Sequence, residues 1–155
     1  MNTVRPLAMT RVGTSIQRPR REVFLALTDP ETLRLFWPED AGEAILAAGV
    51  ETQWTMEAGQ EPVTVTCKQA DDDSLIRLVF SNGTRVSFSL DRAEDGGTLL
   101  HYIEWGFGAE GDVSADHIAR INSAATQMLA DLRALLERDF ATIPADEKPT
   151  LATAA

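Results

Sequence analysis

Between Ser114 and about Phe140, the apolar residues Ile118, Ile121, Ala125, Met128, Leu132 and Leu135 recur at alternating spacings of three and four. That repeat lines side chains up on one face of an α-helix. A helix of this length runs about 40 Å, enough to cross a whole small domain, and its apolar stripe has to be buried against a second surface. The residues before it supply one, as a series of short extended runs. The pattern predicts a sheet gripped around one long helix, with a pocket between them.

Taken in order, Met1 to Leu7 reads as a flexible start, and Ala8–Gln17 as a first strand whose inner face carries Thr10, Val12, Thr14 and Ile16. Arg18-Pro19 breaks the strand. Pro19 suits the first position of a helix whose stripe is Val23, Phe24, Ala26 and Leu27 and which ends near Thr28. Asp29 then caps a second short helix with Pro30 at its first position and Leu33, Phe36 and Trp37 on its apolar face, before Pro38 stops it.

From Glu43 to Phe107, strands are predicted at Glu43–Ala47, Glu51–Glu57, Pro62–Gln69, Leu75–Phe80, Thr84–Leu90 and Thr98–Phe107, which with the first strand makes seven. Turn residues such as Ser81-Asn82-Gly83 and Asp95-Gly96-Gly97 connect them as hairpins, so consecutive strands should be antiparallel neighbours. Period-two parity puts Trp54, Met56, Val63, Val65, Cys67, Ile76, Leu78, Phe80, Val86, Phe88 and Leu90 on the face toward the long helix. In the last strand both parity sets contain apolar residues, and periodicity alone does not choose between them. Asp112 or Ser114 caps the long helix, with Asp116 in its first turn. Residues 143–155 hold too few large apolar side chains to pack and are expected, like residues 1–7, to be a flexible end outside a domain spanning 8–142.

Composition narrows the function classes. A length of 155 residues with 44% hydrophobic content suffices for one buried core. Twenty-four acidic against fourteen basic residues give a formal charge of -10, and with no Lys/Arg block this disfavours nucleic acid and anionic membranes as partners. The single cysteine, Cys67, excludes an internal disulfide, and two isolated histidines leave no metal spacing. No metal and no cofactor is expected. Without a signal-like apolar run or a stretch able to span a bilayer, the chain reads as soluble and cytoplasmic.

The order of one strand, two short helices, further antiparallel strands and a long last helix resembles the helix-grip fold of the START-like SRPBCC superfamily, an α+β fold. The local text is similar as well. Arg18-Pro19-Arg20-Arg21-Glu22-Val23-Phe24-Leu25-Ala26-Leu27-Thr28-Asp29-Pro30 resembles the superfamily's opening, with Trp37 where members often place an aromatic. Gly97-Thr98 followed by alternation to Gly106-Phe107 resembles the last strand of the branch that includes bacterial relatives of heat-shock-protein ATPase activators. The chain departs from that branch in its last helix, where Ser123-Ala124-Ala125 replaces an expected Gly-Trp pair. The resemblance implies that Leu100, Tyr102 and Glu104 point inward.

Candidate ligand-binding residues are therefore Trp37, Trp54, Phe80, Phe88, Tyr102 and Glu104, with Ala125 and Met128 facing them from the helix. Ligand sites are mostly apolar with few polar groups, and the same aromatics serve equally as core. Glu104 either lies at the cavity mouth, solvated or paired with an arginine, or faces the cavity with a raised pKa as a ligand-orienting or acid/base group. His101 and His117 read as surface residues, and Cys67 as a small buried hydrophobe. The leading reading is a binder of a hydrophobic small molecule (lipid, quinone or aromatic, polyketide-like). The alternatives are a protein-interaction module of the ATPase-activator type and a cyclase or hydrolase using Glu104. A protein partner or a homodimer through an open sheet edge stays open.

Overall fold

The computed structural model describes residues 8–106 and 114–142, with side chains through Glu137. The chain forms β1 (Met9–Ile16), α1 (Arg20–Thr28), α2 (Pro30–Leu33), β2 (Glu51–Trp54), β3 (Val63–Asp71), β4 (Leu75–Phe80), β5 (Arg85–Arg92), β6 (Thr98–Trp105) and α3 (Ala115–Thr142). The expected flexible ends, 1–7 and 143–155, and Phe107 and Asp112 lie outside the described residues.

Pro19 sits at the N-cap of α1 in extended geometry, one residue before the helical position expected of it, and its carbonyl accepts from Glu22 and Val23 N–H. Asp29 ends α1 and starts α2. Its carboxylate accepts from the Thr32 hydroxyl at 2.8 Å and from Glu31 N–H, satisfying donors that a helix start leaves open. After α2 the chain turns, and Trp37 N–H closes onto the Leu33 carbonyl at 2.9 Å. That turn delivers Trp37 to the inner face. Ser114 caps α3 by accepting from His117 N–H.

The sheet is antiparallel in the order β1-β6-β5-β4-β3-β2. Every neighbour is also a neighbour in sequence except one: β1 pairs with β6, Met9 against Trp105 through to Ile16 against Thr98. The buried residues Trp54, Val65, Cys67, Ile76, Leu78, Phe80, Val86, Phe88, Leu90, Leu100 and Tyr102 share one face, as alternation requires. Met56 and Val63 on that face are partly buried. Against it α3 lays Ala125, Met128, Leu129 and Leu132, and its backbone runs alongside that of β1. A bulge between Cys67 and Gln69 shifts the β3–β4 register. This adds local twist.

Among the described residues the sheet has six strands, not seven. Glu43–Ala47 alternates like a strand but joins no ladder. Its Leu46 N–H donates to the Thr28 carbonyl at the end of α1, which draws the segment off the sheet edge toward the helices. Leu46 is buried there while Ile45 is 65% exposed. Asp40 bridges β2's continuation at Thr55, the Glu39 N–H donates to the Met56 carbonyl beside it, and β2 itself ends at Trp54, short of the expected Glu57.

Candidate ligand site between the sheet and the last helix

On the α2 side of α3, a cavity of about 450 Å³ opens between the helix and the inner sheet face. Its floor is Tyr102 and Glu104 of β6; Phe36, Trp37, Met56 and Glu57 wall one side, and Ile121, Ala124, Ala125, Gln127, Met128 and Asp131 of α3 wall the other. The volume is within the range of small-molecule sites. Small residues at 124 and 125 keep the helix wall thin. The sequence places Trp37, Tyr102, Glu104, Ala125 and Met128 here, and the structure brings all five together.

The other three expected residues stand behind that wall. Trp54, Phe80 and Phe88 do not line the cavity; they pack around Trp37, whose ring centroid is 5.0 Å from Trp54, 5.5 Å from Phe88 and 6.2 Å from Phe80. The Trp54 and Phe88 contacts are near-perpendicular, a geometry that the ring quadrupoles favour. Tyr102 completes the cluster, 6.1 Å from Trp37 and 5.2 Å from Phe88. These rings hold Trp37 in place, so the cavity has a rigid aromatic side.

Phe36, Glu57, Ile121, Ala124, Gln127 and Asp131 complete the lining beyond the residues expected from the sequence. Ile121 already belonged to the apolar stripe of α3, and residues 124, 127, 128 and 131 follow the spacing of one helical flank. That signal was present, but its meaning depended on which flank of α3 the cavity lies under.

The polar centre is a pair on β6. The Tyr102 hydroxyl donates to Glu104 Oε1 at 2.6 Å, a short charge-assisted bond. Both face inward because they are two apart on one strand. Burial raises the Glu104 carboxyl above its ordinary value; the Tyr102 hydrogen bond and the charge of His117 act in the opposite direction and only partly offset it. Burial also pushes the Tyr102 hydroxyl well up, and the neighbouring carboxylate adds to the effect. So the partner the structure gives Glu104 is a tyrosine rather than an arginine. His117 is exposed, as expected, yet its charge reaches Glu104. A half-buried carboxyl with a raised pKa can accept from or donate to a ligand.

Among the described residues, two side-chain polar atoms are buried without a hydrogen-bond partner, Thr10 Oγ1 and Trp54 Nε1. Thr10 stands directly opposite Glu104 in the β1–β6 register. Unsatisfied buried groups are uncommon in folded proteins. Cys67 is fully buried with its thiol pushed up by desolvation, which suits packing and not nucleophilic attack.

Two further concavities differ in character. One, of about 390 Å³, lies between β1 and α3 beside Arg133 and Glu137. The other, of about 510 Å³, is a groove formed by α1, the 43–47 segment and the end of α3. Its rim includes Leu25, Leu35 and Ile45, three exposed large apolar side chains.

No protein-family model matches the chain, and no curated protein is detectably similar to it in sequence. Solved structures are similar in fold. Protein SSP2350 from Staphylococcus saprophyticus superposes with a TM-score of 0.70 at 20% identity, covering 83% of this chain and 91% of that one. The Aha1 dimer from Colwellia psychrerythraea gives 0.70 at 17% identity, covering 83% and 96%. DynU16, from the dynemicin biosynthetic locus, gives 0.66 at 20% identity, with 85% of this chain matching 48% of DynU16. The molecule shares the helix-grip fold of these structures, Aha1 among them.

Proposed function

We propose, with the helix-grip fold as premise, that this protein binds a hydrophobic small molecule in the cavity between β6, α2 and α3. The observation that carries the reading is the half-open, aromatic-walled space of about 450 Å³ with the Tyr102–Glu104 pair on its floor. Apolar walls supply affinity and a few fixed polar groups supply orientation. A space of this size admits a quinone, a fatty chain or a fused-ring aromatic. The raised carboxyl of Glu104 supports orientation of such a ligand directly; acid/base work in a cyclase or hydrolase requires a second group acting with it.

The test is native mass spectrometry of protein purified from its own host, followed by thermal shift with quinone, fatty-alcohol and naphthol panels. A ligand at a hundred times its Kd stabilises by about 2.7 kcal/mol, a rise of about 5–10 °C for a domain of this size. Met128→Trp, which fills the cavity, should abolish the shift. No retained mass and no shift from any panel would refute the reading.

A second reading, a protein-interaction module of the Aha1 type, is supported by the groove at Leu25, Leu35 and Ile45 together with the Aha1 neighbour. Exposed apolar patches of this kind mark interaction surfaces. Leu35→Glu with Ile45→Glu should abolish capture of a partner in pull-downs while leaving the cavity's thermal shifts unchanged. Retention of the same partner by the double variant would refute it.

A further inference from the structure

The charged side chains that line the cavity are of one sign. Three carboxylates line it, those of Glu57, Glu104 and Asp131, and among the described residues no lysine or arginine does. Each of the other two concavities has an arginine in its lining beside acidic groups: Arg133, paired with Glu137, in one, and Arg18 together with Glu22 and Asp29 in the other. His117 acts on Glu104 from the first turn of α3, but it stands outside the lining.

An anionic headgroup placed in this cavity would lose its water and find only carboxylates among the charged groups of the lining, a juxtaposition that costs affinity. A cation would meet the opposite. It would neutralise Glu104, whose charged form burial disfavours, and its apolar body would lie against Trp37, whose ring is held edge-on by Trp54 and Phe88. Aromatic faces attract ammonium groups, most strongly where water is excluded. Across the β1–β6 ladder from Glu104, and outside the cavity lining, the Thr10 hydroxyl is buried with no hydrogen-bond partner.

We infer, resting on the reading of this cavity as a ligand site, that its occupant is a hydrophobic amine bound as its ammonium. The apolar body lies between Trp37 and Met128, and the cationic head lies against Glu104 and the carboxylates of the mouth. Fatty acids and other lipophilic anions are rejected, and neutral analogues bind with intermediate strength.

The experiment compares decylammonium, decanol and decanoate by isothermal titration calorimetry at neutral pH and moderate salt, using the full chain. Decylammonium should bind at least about tenfold more tightly than decanoate, with decanol between them. Glu104→Gln, which keeps the shape and can still accept from Tyr102, should weaken decylammonium several-fold, leave decanol unchanged and strengthen decanoate. Met128→Trp should abolish all three. Decanoate binding as tightly as decylammonium, or a Glu104→Gln variant with the wild-type preference, would overturn the amine assignment while the cavity reading stands. Decylammonium binding that survives Met128→Trp would show adsorption to the acidic surface and would also overturn it. Failure of all three ligands in the wild-type protein would overturn the amine assignment together with the cavity reading.

Discussion

Leu132→Ala probes the contact on which the architecture depends. Leu132 lies on α3 with 0% of its surface exposed, in the same cluster as Trp54, Val65 and Leu100. The carbons removed are worth about 0.8 kcal/mol each in transfer free energy, and the unfilled space they leave brings the loss to about 3–4 kcal/mol. At about 2–4 °C per kcal/mol for a domain of this size, the melting temperature should fall by about 10 °C. Arg133, one residue on, is the control. Its guanidinium is half exposed and pairs with Glu137 at 3.2 Å one turn away, a contact worth about 0.5 kcal/mol or less. Arg133→Ala should therefore move the midpoint by no more than about 2 °C. Circular-dichroism melts and urea titrations of both variants decide the matter. Equal midpoints, or a larger loss in Arg133→Ala, would mean that α3 presents a different face to the sheet and would refute the grip geometry.

Glu104→Gln has a pH signature. Because burial holds the folded carboxyl above the ordinary value of 4.5, its contribution to stability is fully present below the unfolded pKa and is lost as pH rises through the folded one. The Gln variant should match the wild type in acid and become the more stable protein toward neutral pH, read as melting temperature across a pH series; lower stability at neutral pH would show that the charge is favourably paired. Gly106→Ala should cost about 1–3 kcal/mol more than Gly59→Ala. Both glycines have positive φ, +86° and +84°, but a Cβ at Gly106 would run into the Gly83 carbonyl whereas at Gly59 it meets open space. Urea unfolding of the pair checks this, and equal losses would refute the close approach.

The stripe on α3 and the inner faces of β3 to β5 were legible because periodicities of 3.6 and 2 are local properties of the backbone. Glu104 and Tyr102 share a face for the same reason, so their hydrogen bond follows once Tyr102 is placed inward. Depth is another matter. Parity assigns Trp54, Phe80 and Phe88 to the correct face, but only the turn after α2, which inserts Trp37 among them, decides that they support the cavity wall instead of forming it. Glu57 and Asp131 came to the cavity from elements with no local relation to β6, and no repeat in the chain announces such a meeting. The Glu43–Ala47 segment failed as a strand because its one anchor, the Leu46 N–H on the Thr28 carbonyl, comes from α1. Alternation describes a surface that fits a sheet, and it cannot say whether a neighbouring strand is there to pair with.

The pairing of β1 with β6 sets an order of events for a chain made from one end. Strands β2 to β6 are linked by short connections and can zip up as they emerge, since each loop closed is small. Met9 must wait for Trp105. At about 5–20 residues per second, the first strand spends several seconds outside the ribosome with Ile16 uncovered and the apolar face of α1 still without the sheet that will bury it. The completed meander meanwhile offers the unpaired edge of β6. Nascent chains of this topology should therefore engage holding chaperones from the first strand until the last has appeared. A version whose β1 is moved by circular permutation to follow β6 should fold with less delay.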